Sequence, residues 1–149
     1  MTRLSRVILL LSAALASFAS WAGPGEDAVA VVERWSATYS ANDADALVAL
    51  YTSDAVLLGT VSPVMSEGTA AIQTYFSRLK GSGNKNSIRE RRVMVLADDA
   101  VMVTGFYDFS NAERTPALRP SRYTMLVIQQ GKDWRIAHHH SSPLVPPPK

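Results

Sequence analysis

Apolar positions recur at three- and four-residue steps in the first half of the chain and alternate with polar ones in much of the second half. From Glu26 onward Ala28, Val31, Val32, Trp35 and Tyr39 form one stripe, which predicts an amphipathic helix to about Ser40. Glu26 and Asp27 fall in its first turn, where the helix dipole favours acids. Asn42-Asp43 supplies a turn and a cap for a second, short helix over 44–51, with Leu47, Leu50 and Tyr51 on its inner stripe. A strand is expected over 55–59, broken between Gly59 and Pro63. Glu67-Gly68 then precedes a third helix over 69–79, carrying Ile72, Tyr75, Phe76 and Leu79 on one side and stopped by Gly81-Ser82-Gly83-Asn84. The remainder predicts strands over 87–96, 101–110, 122–130 and 133–140, joined by Asp98-Asp99, a longer loop containing Pro116 and Pro120, and Gly131-Lys132. Helices followed by a run of antiparallel strands imply an α+β layer with the helices on one face of a curved sheet.

The start and end of the chain follow other patterns. Residues 1–22 carry Arg3 and Arg6, an apolar stretch, an Ala-rich stretch and a small-residue ending, Ser20-Trp21-Ala22. This predicts a secretory leader cut before Gly23, and hence a periplasmic or secreted protein with no membrane attachment after cleavage. The four prolines over 143–149 predict an irregular strap or a disordered end. Of 15 Lys and Arg the leader holds two, and it holds none of the 13 Asp and Glu, so the domain that follows is electrically balanced. Balance removes any global charge argument for nucleic acid or an anionic membrane. With no cysteine the core must hold the fold without disulfides.

Candidate chemistry is concentrated near the end. Strict alternation through Trp134-Arg135-Ile136-Ala137-His138-His139-His140 puts Trp134, Ile136, His138 and His140 on one face, and Arg135, Ala137 and His139 on the other. His138 and His140 thus continue an apolar row and are candidates for proton transfer or ligand binding, with a purely structural role as the alternative. They could also offer two metal ligands, but no third stands at a characteristic spacing, so no metal is expected. Aromatic walls would come from Trp35, Tyr39, Tyr51 and Tyr107, with Tyr39 or Tyr107 hydrogen-bonding a developing oxyanion. Arg122 and Thr124 share a strand face with Leu126 and Ile128, and an inward guanidinium would grip a carboxylate unless it pairs internally with Glu67 or Asp108. The expected ligand is therefore a small organic molecule, a carboxylate for preference. No dinucleotide fingerprint, kinase Gly-rich loop or His-Arg-Asp sequence is present, and no cofactor is expected. Strand residues Val93, Val95, Val101, Val103, Met125 and Val127 offer more apolar surface than three modest helices would cover, which predicts a homodimer or larger homo-oligomer.

The order of elements, the Glu67-Gly68 step and the ending Gly-Lys-Asp-Trp-Arg-Ile-Ala-His-His-His-Ser-Ser resemble the nuclear transport factor 2-like superfamily. Within it the chain is similar to the group containing bacterial SnoaL-like proteins and the association domain of calcium/calmodulin-dependent protein kinase II. The resemblance implies a cone-shaped α+β fold over 23–142, with three N-terminal helices packed on a strongly curved antiparallel sheet around a cavity, and pairing through the sheet. Some members are isomerases, cyclases or dehydratases, while others only bind or assemble, so the fold leaves function to the site. Ser141, a further ligand-binding candidate, stands where the kinase domain has an arginine after its His-x-His. The carboxylate base of the steroid-isomerase relatives has no matching Asp or Glu. Two expectations follow: a pocket for a small organic acid or apolar metabolite with histidine-mediated proton transfer, or a non-catalytic assembly and binding module.

Overall fold

Helix α1 (Pro24–Ala41) starts where proline at the first helical position needs no hydrogen-bond partner, and the Gly23 N–H is taken by Glu26 Oε2 at 2.6 Å. It ends at Asn42, whose left-handed backbone (φ 60°) turns the chain while its side chain ties down the loop before the sheet. Asn42 Nδ2 donates to the Asn84 carbonyl at 2.7 Å, and its Oδ1 accepts from Gly83 N at 2.8 Å. Asp43 caps α2 (Ala44–Val48) by accepting from Ala46 N at 3.0 Å. The computed structural model describes residues 23–114 and 118–145. The expected leader, Pro116 and most of the expected tail lie outside the described residues.

The remaining elements are β1 (Tyr51–Leu58), β2 (Met65–Glu67), α3 (Gly68–Phe76) with a 3₁₀ turn (Ser77–Leu79), β3 (Lys85–Ala97), β4 (Ala100–Ser110), β5 (Leu118–Gln130) and β6 (Asp133–Pro143). They form an open six-stranded sheet in the order β2-β1-β6-β5-β4-β3. Several expectations need correction. The sheet is mixed, because β1 runs parallel to β6 while every other pair is antiparallel. Three hairpin steps from β3 return β6 in the direction of β1, a long-range pairing that local turn signals do not encode. The helices are not one N-terminal group, since β1 and the unforeseen β2 precede α3. Tyr51 opens β1 instead of ending α2, β5 begins at Leu118 with Pro120 inside it, and β6 runs on through Pro143.

The core lies between the helices and one face of the sheet. Val31, Val32 and Trp35 of α1 and Ile72 and Phe76 of α3 meet Val101, Val103, Met125, Val127 and Ile136 from the strands. Val101, Val103, Met125 and Val127, expected to need a second protomer, are fully buried within the chain, whereas Val93 and Val95 are 40% and 57% exposed. Two irregularities set which residues face inward. Opposite β4, β3 carries Arg89 as an extra residue between Ile88 and Glu90. Opposite β5, β6 carries Ala137 as an extra residue between Ile136 and His138.

Gly105 stands beside the first of these bulges, and a Cβ there would collide with the backbone carbonyl of Glu90 and the Cα of Arg91. Backbone in a ladder cannot yield as a flexible side chain would. Gly105→Ala is therefore expected to destabilise the fold by about 1–3 kcal/mol, read as a lower thermal or denaturant midpoint of the purified protein.

Candidate functional site

The Ala137 bulge decides the site. Strict alternation would send His138 and His140 inward; with one residue added, Ile136, His139 and Ser141 face the core. His139 is 1% exposed, His138 is half-buried and His140 exposed on the opposite face, so the inward row expected of His138 and His140 is corrected to His139. Arg122 and Thr124 also lie on that outer face. There Arg122 Nε donates to Ser142 Oγ at 3.1 Å, while Thr124 Oγ1 meets Thr104 Oγ1 at 3.0 Å. Arg122 reaches neither Glu67 nor Asp108, and Asp108 pairs instead with Arg89 at 3.1 Å.

Five expected residues do gather near His139. Trp35 Nε1 donates to Tyr51 Oη at 2.8 Å, Tyr51 Oη lies 2.9 Å from His139 Nδ1, and Tyr107 Oη lies 3.3 Å from His139 Nε2. The Trp35 ring is stacked between Tyr39 and Tyr107 at centroid distances of 5.4 and 5.8 Å, and meets the His139 ring edge-on at 5.0 Å. Ser141 hydrogen-bonds Thr60, and both hydroxyls stand beside Tyr107. The groups come from four elements of the fold: Trp35 and Tyr39 from α1, Tyr51 from β1, Tyr107 from β4, His139 and Ser141 from β6.

All of these but Tyr51, which lies behind them, floor a cavity of about 600 Å³ between α1, α3 and the sheet. Tyr75, Phe76 and Phe109 extend its aromatic wall, and the exposed Arg78, Arg114 and Arg119 stand at its rim. Among the described residues that line it there is no Asp or Glu. Tyr75 packs directly on Gly59, where a Cβ would strike its ring. Tyr75, the three arginines, Thr60 and His139 were missed as site residues. Arg119 shares the inward parity of Tyr123 but lies before the expected strand, and nothing in the loop sequence marks Arg114.

The electrostatics follow from burial. Desolvation holds His139 far below its ordinary value, at about 3, with His138 and His140 adding to the effect. Burial pushes Tyr39 up to about 12, aided by Tyr75, while Arg114 and Arg119 act in the opposite direction. Tyr51, Tyr75 and Tyr107 are likewise raised, chiefly by burial. The cavity therefore presents a neutral imidazole and neutral phenols near pH 7 beneath permanently cationic guanidiniums. Among the described residues no three or more His, Cys, Asp or Glu side chains are grouped to hold a metal ion.

One consequence can be measured directly. The unfolded chain takes up a proton at His139 below pH 6.5, whereas the folded chain resists it until about pH 3. Acid therefore favours the unfolded state throughout that window; the contribution of His139 is complete above 6.5 and falls by about 1.4 kcal/mol per pH unit toward 3. Denaturant melts from pH 7 to 4 should show this slope, and His139→Gln should remove that component.

The comparisons agree with this architecture. No curated protein matches the chain. Among solved structures it is similar to a protein from Xanthomonas campestris provisionally named as a calcium/calmodulin-dependent protein kinase II association domain. That match has 29% identity and a TM-score of 0.72, covering 78% of this chain and 84% of the other. A ketosteroid isomerase-like protein from Erwinia carotovora atroseptica matches at 18% identity and a TM-score of 0.64, over 80% and 95% of the two chains. A provisionally named scytalone dehydratase from Novosphingobium aromaticivorans matches at 12% identity and a TM-score of 0.67, over 79% and 83%. The latter two likenesses concern the fold alone. The SnoaL-like domain profile matches residues 28–146. The chain belongs to the SnoaL-like domain family, within the nuclear transport factor 2-like fold.

Proposed function

We propose that this protein holds a small organic anion, a carboxylate on an aromatic or apolar body, in the cavity between α1, α3 and the sheet. The observation that carries the reading is the charge pattern of the lining. Arg78, Arg114 and Arg119 rim an aromatic chamber that has no acidic residue among its described lining positions. No carboxylate among the described residues forms an ion pair with any of the three. Guanidiniums prefer carboxylates in two-pronged geometry, and the stacked rings of Trp35, Tyr39 and Tyr107 suit a flat apolar body.

Proton transfer by the histidines fits less well. His138 and His140 face away from the cavity, and His139 is too weak a base at neutral pH to capture a proton. Isomerase-like and dehydratase-named relatives share the fold, but the cavity groups here favour binding over acid–base turnover.

A second reading, self-association, is favoured by the edge strand. Val93, Met94, Val95 and Leu96 are 40–57% exposed on β3, whose outer backbone edge is unpaired among the described residues. Two-fold antiparallel pairing of β3 would bring Arg89, Arg91 and Arg92 of one copy near Asp98 and Asp99 of the other. We propose a homodimer, formed outside the cytoplasm once the leader over 1–22 is removed.

Calorimetric titration with benzoate and cinnamate should detect binding to the wild-type protein that weakens with salt, and no binding of the corresponding amides. Arg119→Gln or Arg114→Gln should weaken it about tenfold or more, the scale of one charge-assisted hydrogen bond. Unchanged affinity in both variants would sink the anion reading. In sedimentation equilibrium the wild type should run as a dimer and Met94→Lys/Val95→Lys as a monomer. Intact mass of the exported protein should correspond to a chain beginning at Gly23.

A further inference from the structure

The cavity floor holds a chain of hydrogen bonds whose direction follows from the donors present. Trp35 Nε1 can only donate, and its hydrogen goes to Tyr51 Oη. Tyr51 must then place its own hydrogen in a buried position, and His139 Nδ1 is the acceptor it meets, at 2.9 Å. Were Nδ1 protonated instead, the Tyr51 oxygen would face two donors and its own hydrogen would be buried without a partner, a costly arrangement. A neutral imidazole has one N–H, so it sits on Nε2, 3.3 Å from Tyr107 Oη. Tyr107 accepts there, which turns its own hydrogen away from His139. Ahead of it lie the Ser141 and Thr60 hydroxyls and the cavity.

Resting on the organic-anion reading above, we propose that His139 is a positioning residue, locked as the Nε2–H tautomer, that orients the Tyr107 hydroxyl to donate to a carbonyl oxygen of the bound acid. His139 touches no substrate atom in this role; it acts through Tyr107. The ligand class narrows accordingly. Arginines at the rim take the carboxylate, and a hydroxyl donor at the floor takes an uncharged oxygen at the other end of the molecule, so the acid carries a ketone or similar acceptor remote from its carboxylate. In the free protein Ser141 and Thr60 can receive the Tyr107 hydrogen, and a ligand carbonyl would replace them without leaving a buried hydroxyl unmatched. Donation from Nε2–H into the Tyr107 oxygen also polarises its O–H bond, although at 3.3 Å the effect is modest. Tyr51 and Trp35 complete the device from beneath, since the same bonds that fix the tautomer also fix the plane of the ring.

The test uses 3- and 4-acetylbenzoate against 3- and 4-isopropenylbenzoate, which keep the shape and remove the oxygen. One acetyl compound should bind the wild-type protein about threefold to tenfold more tightly than its isostere, with its ketone stretch shifted to lower frequency in the infrared. Tyr107→Phe should abolish both the preference and the shift, so that ketone and isostere bind with equal affinity. His139→Leu should lose the shift, and His139→Gln, whose amide N–H can replace Nε2–H, should restore it. Nitrogen-15 NMR of the native protein should find the hydrogen on His139 Nε2 from pH 5 to 8, a readout that needs no variant. A hydrogen on Nδ1, equal binding of ketones and isosteres, or a preference that survives Tyr107→Phe would overturn the positioning role and leave the anion reading intact. Failure of every benzoate to bind would overturn the anion reading itself, and this proposal with it.

Discussion

The structure turns on one imidazole that is buried, neutral and bonded at both ring nitrogens. His139 draws its partners from β1 and β4, and Trp35 of α1 packs against it and anchors Tyr51. A buried polar ring without partners would cost several kcal/mol, so the helix, the edge-side strand β1 and the sheet centre must reach their native positions together. This requirement also gives the parallel pairing of β1 with β6 a purpose. Leu57 stands opposite His139 in that pairing, and Tyr51 opposite Ile136, so the register that satisfies the backbone also delivers the Tyr51 hydroxyl to Nδ1.

Where the sequence pattern spoke locally, it spoke accurately. The stripe of Ala28, Val31, Val32 and Trp35 is buried as its spacing requires, and Asp43 caps α2. Four strands lie close to where alternation put them. What escaped was either long-range or a matter of one residue. The β1–β6 pairing joins segments about eighty positions apart, and β2 has only three residues, too few for any periodicity. The Ala137 bulge matters most for the site. Alanine is unremarkable in a strand, yet one unpaired residue there exchanges the faces of every side chain beyond it. Hence helical spacing, strand parity or resemblance singled out Trp35, Tyr39, Tyr51, Tyr107 and Ser141, which the fold brings into one cluster, while His139 was assigned to the wrong face and His138 and His140 took its place. Arg122 failed for another reason: its parity against Tyr123 was read correctly, but which of the two faces was inner depended on the core, where Tyr123 is buried against Tyr107.

The bulge separates two kinds of histidine. On the outer face His138 and His140 sit among Thr124, Leu126 and Arg122, half-buried or exposed to solvent. On the inner face His139 stays unprotonated near neutral pH. A ring in that state directs hydrogens without taking up a proton near pH 7, because burial disfavours the charged form and no Asp or Glu stands among the described residues of the cavity lining. The tyrosines around it obey the same rule in reverse: burial makes their ionisation unfavourable, so they remain hydroxyl donors. A floor built this way offers direction without basicity, the combination expected of a site that sorts ligands by where their oxygens lie.

The balance of charge over the domain conceals this specialisation. Over residues 23–149 the basic and acidic residues are equal in number, and the acids are spent where guanidiniums are not at the cavity: Glu33 on Arg91, Asp108 on Arg89, Asp133 on Arg135. Arg78, Arg114 and Arg119 are left around an opening whose walls are aromatic. Each exposed arginine alone would exert a field that salt screens within about 8–10 Å. Three around a low-dielectric chamber act on the same small volume, where field lines are less screened than over open surface. In the proposed reading an entering anion would exchange water for guanidinium at the rim before its apolar body reached Trp35. On that reading, discrimination between acids of equal charge would come from the neutral end of the ligand, which meets a floor whose hydrogens the fold has already aimed.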